Sequence, residues 1–338
     1  DTPRCLNHKA RNGIRMTVRA VVRGVGHYLP ERVVPNSEFE SQLDTSDAWI
    51  QARSGIKQRH FVAEGQTTSD MAIEAAKAAL KDSDLHSDDI DAVIVATSTA
   101  DLTFPSVATM VQAGIEMKTG FAYDVQAVCA GFIYALANAN AQIIAGQANR
   151  ILVVGAESFS KLMDWTDRGT CVLFGDGAGA LVLEAEDGKG DKGDRGVLAV
   201  DLNSDGSYRD ILYVDGGVSH QTTGHLRMHG KEVFRHAVEK LAQTAEAAMK
   251  KAHVVPDEID WVVPHQANIR IIQGTAKKMG IGPERVVTTV QDHGNTSAAS
   301  IPLALSVAKE RGQIKKNDVI VTEAIGGGLA WGAVVLRW

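Results

Sequence analysis

Three side chains of this 338-residue sequence sit where chemistry is usually done. Cys129 falls in Tyr123-Asp-Val-Gln-Ala-Val-Cys-Ala-Gly-Phe-Ile-Tyr-Ala-Leu, where an apolar strand-like stretch (Phe121 to Val128) meets a small-residue helix predicted over Ala130–Gly146. A thiol at a strand-to-helix elbow points its sulfur at a helix N-terminus, where unpaired N–H groups and the dipole favour a thiolate. The placement therefore predicts a lowered pKa and a nucleophile for covalent catalysis. The competing role is that of a small buried hydrophobe, which most free cysteines play. His265, in Pro264-His-Gln-Ala-Asn, ends a predicted strand (Trp261–Pro264) just before a helix. Asn295 lies in His293-Gly-Asn-Thr-Ser-Ala-Ala-Ser, where Gly294 frees the backbone ahead of another small-residue helix. Three polar groups at the mouths of strand–helix units predict one shared site. The run Gly326-Gly-Gly-Leu-Ala-Trp-Gly allows close backbone approach and can offer an N–H to an oxyanion.

The elements that must position these groups alternate between strand and helix, which predicts an α/β protein. Helical periodicity marks Ser69–Lys81, Val107–Met117, Lys231–Ala252 and Ile269–Met279. Buried strands are predicted at Ala92–Thr97, Arg150–Gly155, Gly179–Glu184, Trp261–Pro264, Val319–Glu323 and Gly332–Arg337. The two halves resemble each other. Asp88-Asp-Ile-Asp-Ala-Val-Ile-Val-Ala-Thr-Ser-Thr reappears as Asp257-Glu-Ile-Asp-Trp-Val-Val-Pro-His-Gln-Ala-Asn, and Gly179-Ala-Leu-Val-Leu as Gly332-Ala-Val-Val-Leu. Such self-similarity predicts a duplicated pair of halves, 16–190 and 191–338, joined near the polar, Gly-rich stretch Glu186–Gly196. Residues 1–15 lack the apolar core of a secretory signal and are expected to be a tag scar or extension, with Met16 opening the folded part.

Composition narrows the function classes. A hydrophobic content of 44% and a charged content of 22% fit a soluble globular chain, and no run approaches the ~20 apolar residues a bilayer span needs. The net charge of −6 speaks against bulk nucleic-acid binding. Three cysteines (Cys5, Cys129 and Cys171) make no disulfide framework and fit a reducing cytosol; Cys171, in the strand-like run Thr170–Phe174, reads as a buried structural thiol.

Several motifs fail on inspection. Gly175-Asp-Gly-Ala-Gly-Ala imitates a dinucleotide fingerprint but runs into a strand, where that fingerprint must open a helix. His225 and His229 are flanked by glycines with no metal-site partners, and no G-x-S-x-G elbow supplies a serine nucleophile.

Taken together, Val128-Cys129-Ala-Gly-Phe, Gly175-Asp-Gly-Ala-Gly-Ala, Pro264-His-Gln-Ala-Asn, Gly294-Asn-Thr-Ser-Ala-Ala-Ser and Gly326-Gly-Gly-x-x-Trp-Gly resemble β-ketoacyl-acyl-carrier-protein synthase III, from about Met16 to Trp338 and in that family's order. The resemblance implies a thiolase-like fold, two duplicated α/β halves in a five-layered α-β-α-β-α core. It also implies the initiating condensation of fatty acid synthesis. Cys129 would attack an acyl-CoA thioester while the N–H groups of Cys129 and Gly327 hold the oxyanion. His265 and Asn295 would then stabilise the enolate formed as malonyl-acyl carrier protein loses CO2. A thiolase would carry a second catalytic cysteine in the terminal glycine motif, elongating synthases use two histidines, and plant-type polyketide synthases are longer.

CoA recognition carries over to Trp49, Arg53, Arg168, Asn268 and Arg270, with Trp49 and an arginine able to sandwich an adenine. Lys231 and Val125-Gln-Ala-Val depart from the family's usual residues. Arg235, Arg270, Lys277 and Lys278 would receive an acidic carrier protein, with a solvated helix surface as their bland alternative. Phe104 would cross a homodimer interface to close the partner's acyl pocket, favouring acetyl-CoA as primer. The resemblance implies no metal, no other cofactor, no membrane and a cytoplasmic location. Two rivals stand beside this reading. A papain-like protease also orders Cys, His and Asn but lacks here its Cys-Gly-Ser-Cys-Trp signature; a non-catalytic thiolase-fold partner usually loses the nucleophile.

Overall fold

The structure, a computed structural model, describes residues 17–338. The expectations for the 1–15 extension, Cys5 and Met16 lie outside the described residues.

Two mixed sheets carry the site. The first holds β1 (Thr17–Tyr28), β2 (Ala92–Ala96), β3 (Phe121–Val125), β4 (Arg150–Ser158) and β5 (Asp176–Gly188), in the order β1-β5-β4-β2-β3. The second holds β6 (Gly196–Ser204), β7 (Trp261–Val262), β8 (Val319–Gly326) and β9 (Ala330–Arg337), in the order β6-β9-β8-β7, and Val286 bridges β7 at its outer edge. Directions match step for step. In each sheet the first two pairings are antiparallel and those that follow are parallel. The self-similarity of the two halves is thus a shared sheet topology, with the fifth strand of the second copy reduced to one bridge.

Five layers result. Helices α1 (Thr68–Ser83) and α2 (Val107–Gly114) cover the outer face of the first sheet. Between the sheets lie α3 (Gly131–Ile144) and α6 (Ser300–Glu310). The outer face of the second sheet is covered by α4 (Gly230–Ala252), against which α5 (Ile269–Lys278) packs. β2 reads Ala-Val-Ile-Val-Ala and is buried at every residue, as a strand covered on both faces requires. α1 begins where the Thr67 hydroxyl accepts from the Asp70 N–H and the Asp70 carboxylate accepts from the Thr67 N–H. α6, enclosed between the two sheets, is buried at every residue from Ser300 to Ala308.

The boundaries differ from expectation in instructive places. β4 and β5 run longer than predicted: Ala156–Ser158 stay paired with Asp176–Ala178, and the far end of β5, Ala185–Gly188, pairs with Thr17–Ala20 of β1. The stretch Phe121–Val128 leaves the sheet at Val125, and Thr170–Phe174 is a turn that nonetheless buries Cys171. β7 is two residues long. Beyond it, Val263 and His265 still donate to the Val321 and Glu323 carbonyls, with Pro264, which has no N–H, between them. The Gly-rich join tightens to 189–195, held by Asp194, whose carboxylate accepts from the Lys189 and Gly190 amides and from Arg19 Nε.

Candidate active site

Cys129 is presented by an elbow sharper than a simple strand-to-helix joint. After β3 the chain passes through Val128 at φ 50° and a single 3-10 turn, Val128–Ala130, before α3 begins at Gly131. A β-branched residue with positive φ is a strained backbone, held here by its surroundings. Gly326 is part of those surroundings, because a Cβ at this position would stand 2.7 Å from the Cys129 backbone nitrogen. Only glycine lets the 326–328 loop pass so close to the Cys129 N–H. The thiol itself corrects the expectation of a lowered pKa. Burial pushes it up to about 12, the Glu157 carboxylate adds to the rise, and the Ser297 hydroxyl only partly opposes them. At the bottom of this site the loss of solvent outweighs the helix N-terminus and favours the neutral thiol.

His265 is fixed at both ends. Its backbone N–H donates to the Glu323 carbonyl (2.8 Å), and its Nδ1 stands 2.6 Å from Ser300 Oγ. The Ser300 oxygen accepts from the Gln266 N–H, and we assign its own proton to the bond with Nδ1. That assignment leaves the imidazole proton on Nε2. Burial lowers the His265 pKa to about 3, so the ring is a neutral donor.

Asn295 is oriented by the turn that carries it. Its backbone exchanges bonds with the 173–175 segment, donating to Leu173 and accepting from Gly175. Its side-chain Oδ1 accepts from the Ser297 N–H at 2.9 Å, which leaves the Nδ2 hydrogens as the free donors. Cys129, His265 and Asn295 line one cavity of about 740 Å3. One buried thiol and two neutral hydrogen-bond donors on a shared wall suit acyl transfer and the stabilisation of an enolate oxygen.

The cavity opens past Trp49, Arg53, Lys231, Asn268 and Arg270. The guanidinium of Arg53 lies 4.5 Å from the Trp49 ring centre and that of Arg168 lies 5.2 Å from it, so cations flank the indole that was expected to stack on a base. Arg168 also pairs with Asp44. Asn268 is otherwise engaged. Its Oδ1 accepts from Arg270 N and its Nδ2 donates to the Arg53 carbonyl, so it caps α5 and ties the two arginine-bearing helices together. Arg235, Arg270, Lys277 and Lys278 are all exposed on the paired helices α4 and α5, Arg270 lying over the Phe234 ring at 5.4 Å.

Phe104 is 82% exposed, beside a second cavity of about 1220 Å3 lined in part by Leu102, Thr103, Val128, Phe159 and Gly327. Reading the sequence missed Ser300, Ser297, Glu157 and Glu323. Ser297 and Ser300 were visible inside the Asn295 motif, but nothing local showed which atoms they face. Among the described residues, no group of three or more His, Cys, Asp or Glu side chains is placed to hold a metal ion, and no helix is long and apolar enough to cross a membrane.

A duplicated five-layered α/β fold with a thiol, an imidazole and an amide on one cavity defines a condensing acyltransferase of the thiolase type. Models of the 3-oxoacyl-[acyl-carrier-protein] synthase III family match residues 123–206 and, for its C-terminal part, 249–338, and the chain belongs to that family. It is 73% identical to the β-ketoacyl-[acyl-carrier-protein] synthase III of Ruegeria pomeroyi over 96% of this chain and 100% of that protein. Among solved structures it resembles the 3-oxoacyl-[acyl-carrier-protein] synthase III of Aquifex aeolicus (44% identity, TM-score 0.89, covering 94% of this chain and 100% of that one). It also resembles the synthase III of Pseudomonas aeruginosa (41% identity, TM-score 0.88, covering 95% and 98%).

Proposed function

We propose that this chain condenses acetyl-CoA with malonyl-acyl carrier protein, releasing CoA and CO2 and initiating fatty acid biosynthesis, with Cys129, His265 and Asn295 as its catalytic residues. Cys129 attacks the thioester carbonyl, and the N–H groups of Cys129 and Gly327 receive the oxyanion. CoA leaves with the acyl group held on sulfur. Malonyl-carrier protein then takes its place, and its thioester carbonyl accepts from His265 Nε2–H and Asn295 Nδ2–H. Loss of CO2 pushes an electron pair toward that oxygen, and the carbanion attacks the acyl-cysteine. The observation that carries this reading is the pair of neutral donors aimed by Ser300 and Ser297. A carboxylate at either place would repel the developing charge.

Trp49, Arg53, Arg168 and Arg270 hold CoA at the mouth, with Asn268 aligning them, and Arg235, Arg270, Lys277 and Lys278 receive the carrier protein. A homodimer in the cytoplasm completes the reading. β3 lies at an outer edge of the first sheet, and the exposed Phe104 is available to close the second cavity of a partner. The halves are taken as 16–190 and 191–338. Intact-mass measurement after mixing with acetyl-CoA tests the proposal. One acetyl group is expected on the protein, none on Cys129→Ser, and an unlabelled wild-type protein would overturn the reading.

A further inference from the structure

His265 and Asn295 can serve one carbonyl oxygen only if the distance between them is fixed, and they belong to different loops. His265 follows β7, whereas Asn295 follows the four-residue helix Val290–His293. The side chain that joins the two loops is Gln266, which is 1% exposed and does not line the cavity. Its Nε2 donates to the Pro264 carbonyl at 2.8 Å and to the Val287 carbonyl at 3.1 Å. Its Oε1 accepts from the Thr289 N–H at 2.8 Å and from the Val290 N–H at 3.1 Å. Two carbonyls on one side and two N–H groups on the other admit a single orientation of the amide, and they use its full hydrogen-bonding capacity.

The Thr289 and Val290 N–H groups open the helix Val290–His293, where backbone donors have no partner within the helix. Thr289 stands at the cap position with no side-chain cap bond, so Gln266 supplies the cap from the other loop. The capped turn leads directly to the donor. Gly294 N–H donates to the Val290 carbonyl at 3.0 Å, and Gly294 at φ 65° turns the chain into Asn295. On the other side, the Gln266 backbone N–H donates to Ser300 Oγ, the atom that holds His265 Nδ1. The bonds from Asn295 to Leu173 and Gly175 set that residue against the first half of the chain, and Gln266 sets it against His265. None of these Gln266 bonds reaches the 128–130 turn that carries Cys129.

Resting on the reading of His265 and Asn295 as paired donors, we propose that Gln266 is the positioning residue that sets the spacing between them. It touches no reacting atom. Its amide holds the backbone beside His265 and the cap of the helix before Asn295 as one unit, so both N–H groups meet the malonyl thioester oxygen without reorganising as charge develops there. Loss of the amide leaves both donors present but lets the distance between them drift, and a misplacement of ~1 Å costs ~10²-fold in rate. Acylation, which depends on Cys129 and the N–H groups that hold its oxyanion, is spared.

Separate assays of the two half-reactions test this. Gln266→Met keeps the length of the side chain and removes its polar atoms; it should lower the kcat of malonyl-carrier-protein decarboxylation by about tenfold or more. The KM for malonyl-carrier protein and the acylation rate with acetyl-CoA should each stay within about twofold of wild type. In an Asn295→Ala background the same substitution should cost at most about twofold, since one donor alone has no spacing to keep. Gln266→Glu retains an acceptor for the Thr289 and Val290 N–H groups and gives up Nε2. It should show the same pattern, and it decides the matter if Gln266→Met does not fold. A folded variant with wild-type decarboxylation, equal losses in both half-reactions, or losses that multiply in the Asn295→Ala background would overturn the proposal. Failure of both variants to fold would make Gln266 a residue that holds the fold together, and would overturn it too. Wild-type decarboxylation in His265→Ala or Asn295→Ala would instead overturn the donor reading.

Discussion

His265 Nδ1 and Ser300 Oγ stand 2.6 Å apart in a buried contact, and with the Ser300 proton assigned to this bond the imidazole carries its own on Nε2. Ser300 opens α6 and His265 follows β7, so a helix and a strand end far apart in sequence jointly fix a tautomer.

Ser300→Ala should therefore slow malonyl decarboxylation by about tenfold, the scale of leaving a buried hydrogen-bonding group unpaired. His265→Ala and Asn295→Ala, which remove donors outright, should cost ~10²–10³ in that half-reaction. All three should spare acylation more than decarboxylation. Separate single-turnover assays of the two halves check this, and equal losses in both would contradict the donor roles.

Phe104 is expected to limit primer length. Each methylene that fits the second cavity gains ~0.8 kcal/mol by burial. One forced against the ring of a partner's Phe104 costs ~1–3 kcal/mol in strain. Phe104→Ala should shift turnover toward longer acyl-CoAs while malonyl decarboxylation is unchanged. An unmodified enzyme that used octanoyl-CoA as fast as acetyl-CoA would show that Phe104 is not the floor of the pocket.

Glu323 should make stability fall as pH rises. Burial raises its pKa from 4.5 to about 8, against the opposing bond from the His265 N–H, and its Oε2 has no partner among the described residues. Between those values the folded protein keeps a proton that the unfolded chain has released. The stability Glu323 contributes is thus full below 4.5 and lost as pH climbs through about 8. His265, lowered from 6.5 to about 3, acts oppositely at acid pH, where the unfolded chain binds the extra proton. Thermal melts of Glu323→Gln and wild type should diverge in favour of the variant as pH rises through the Glu323 window. A difference in Tm independent of pH would rule out a buried protonated Glu323.

Carrier-protein docking is expected at the exposed cations of α4 and α5. Arg270→Glu should raise the KM for malonyl-carrier protein by up to about fivefold, set by the ~1 kcal/mol ceiling of an exposed charge contact. Added salt should weaken wild-type association as well, because such charges are screened within ~8 Å at physiological ionic strength. A KM indifferent to both changes would return these residues to ordinary surface.

Local chemistry in the sequence determined the alternation of strands and helices, the duplication, and the three elbows at Cys129, His265 and Asn295. These signals are carried by residues next to one another: apolar periodicity, glycines where the backbone must turn tightly, and small residues opening helices. Tertiary structure decided the ionic state of everything at those elbows. Enclosure made Cys129 a thiol against the pull of its helix. Ser300 engaged the His265 Nδ1, and Ser297 aimed the Asn295 amide while donating its own proton to Glu157. Protonation and hydrogen-bond direction depend on desolvation and on partners brought from distant segments, and those exist only once the two sheets have closed over the central helices.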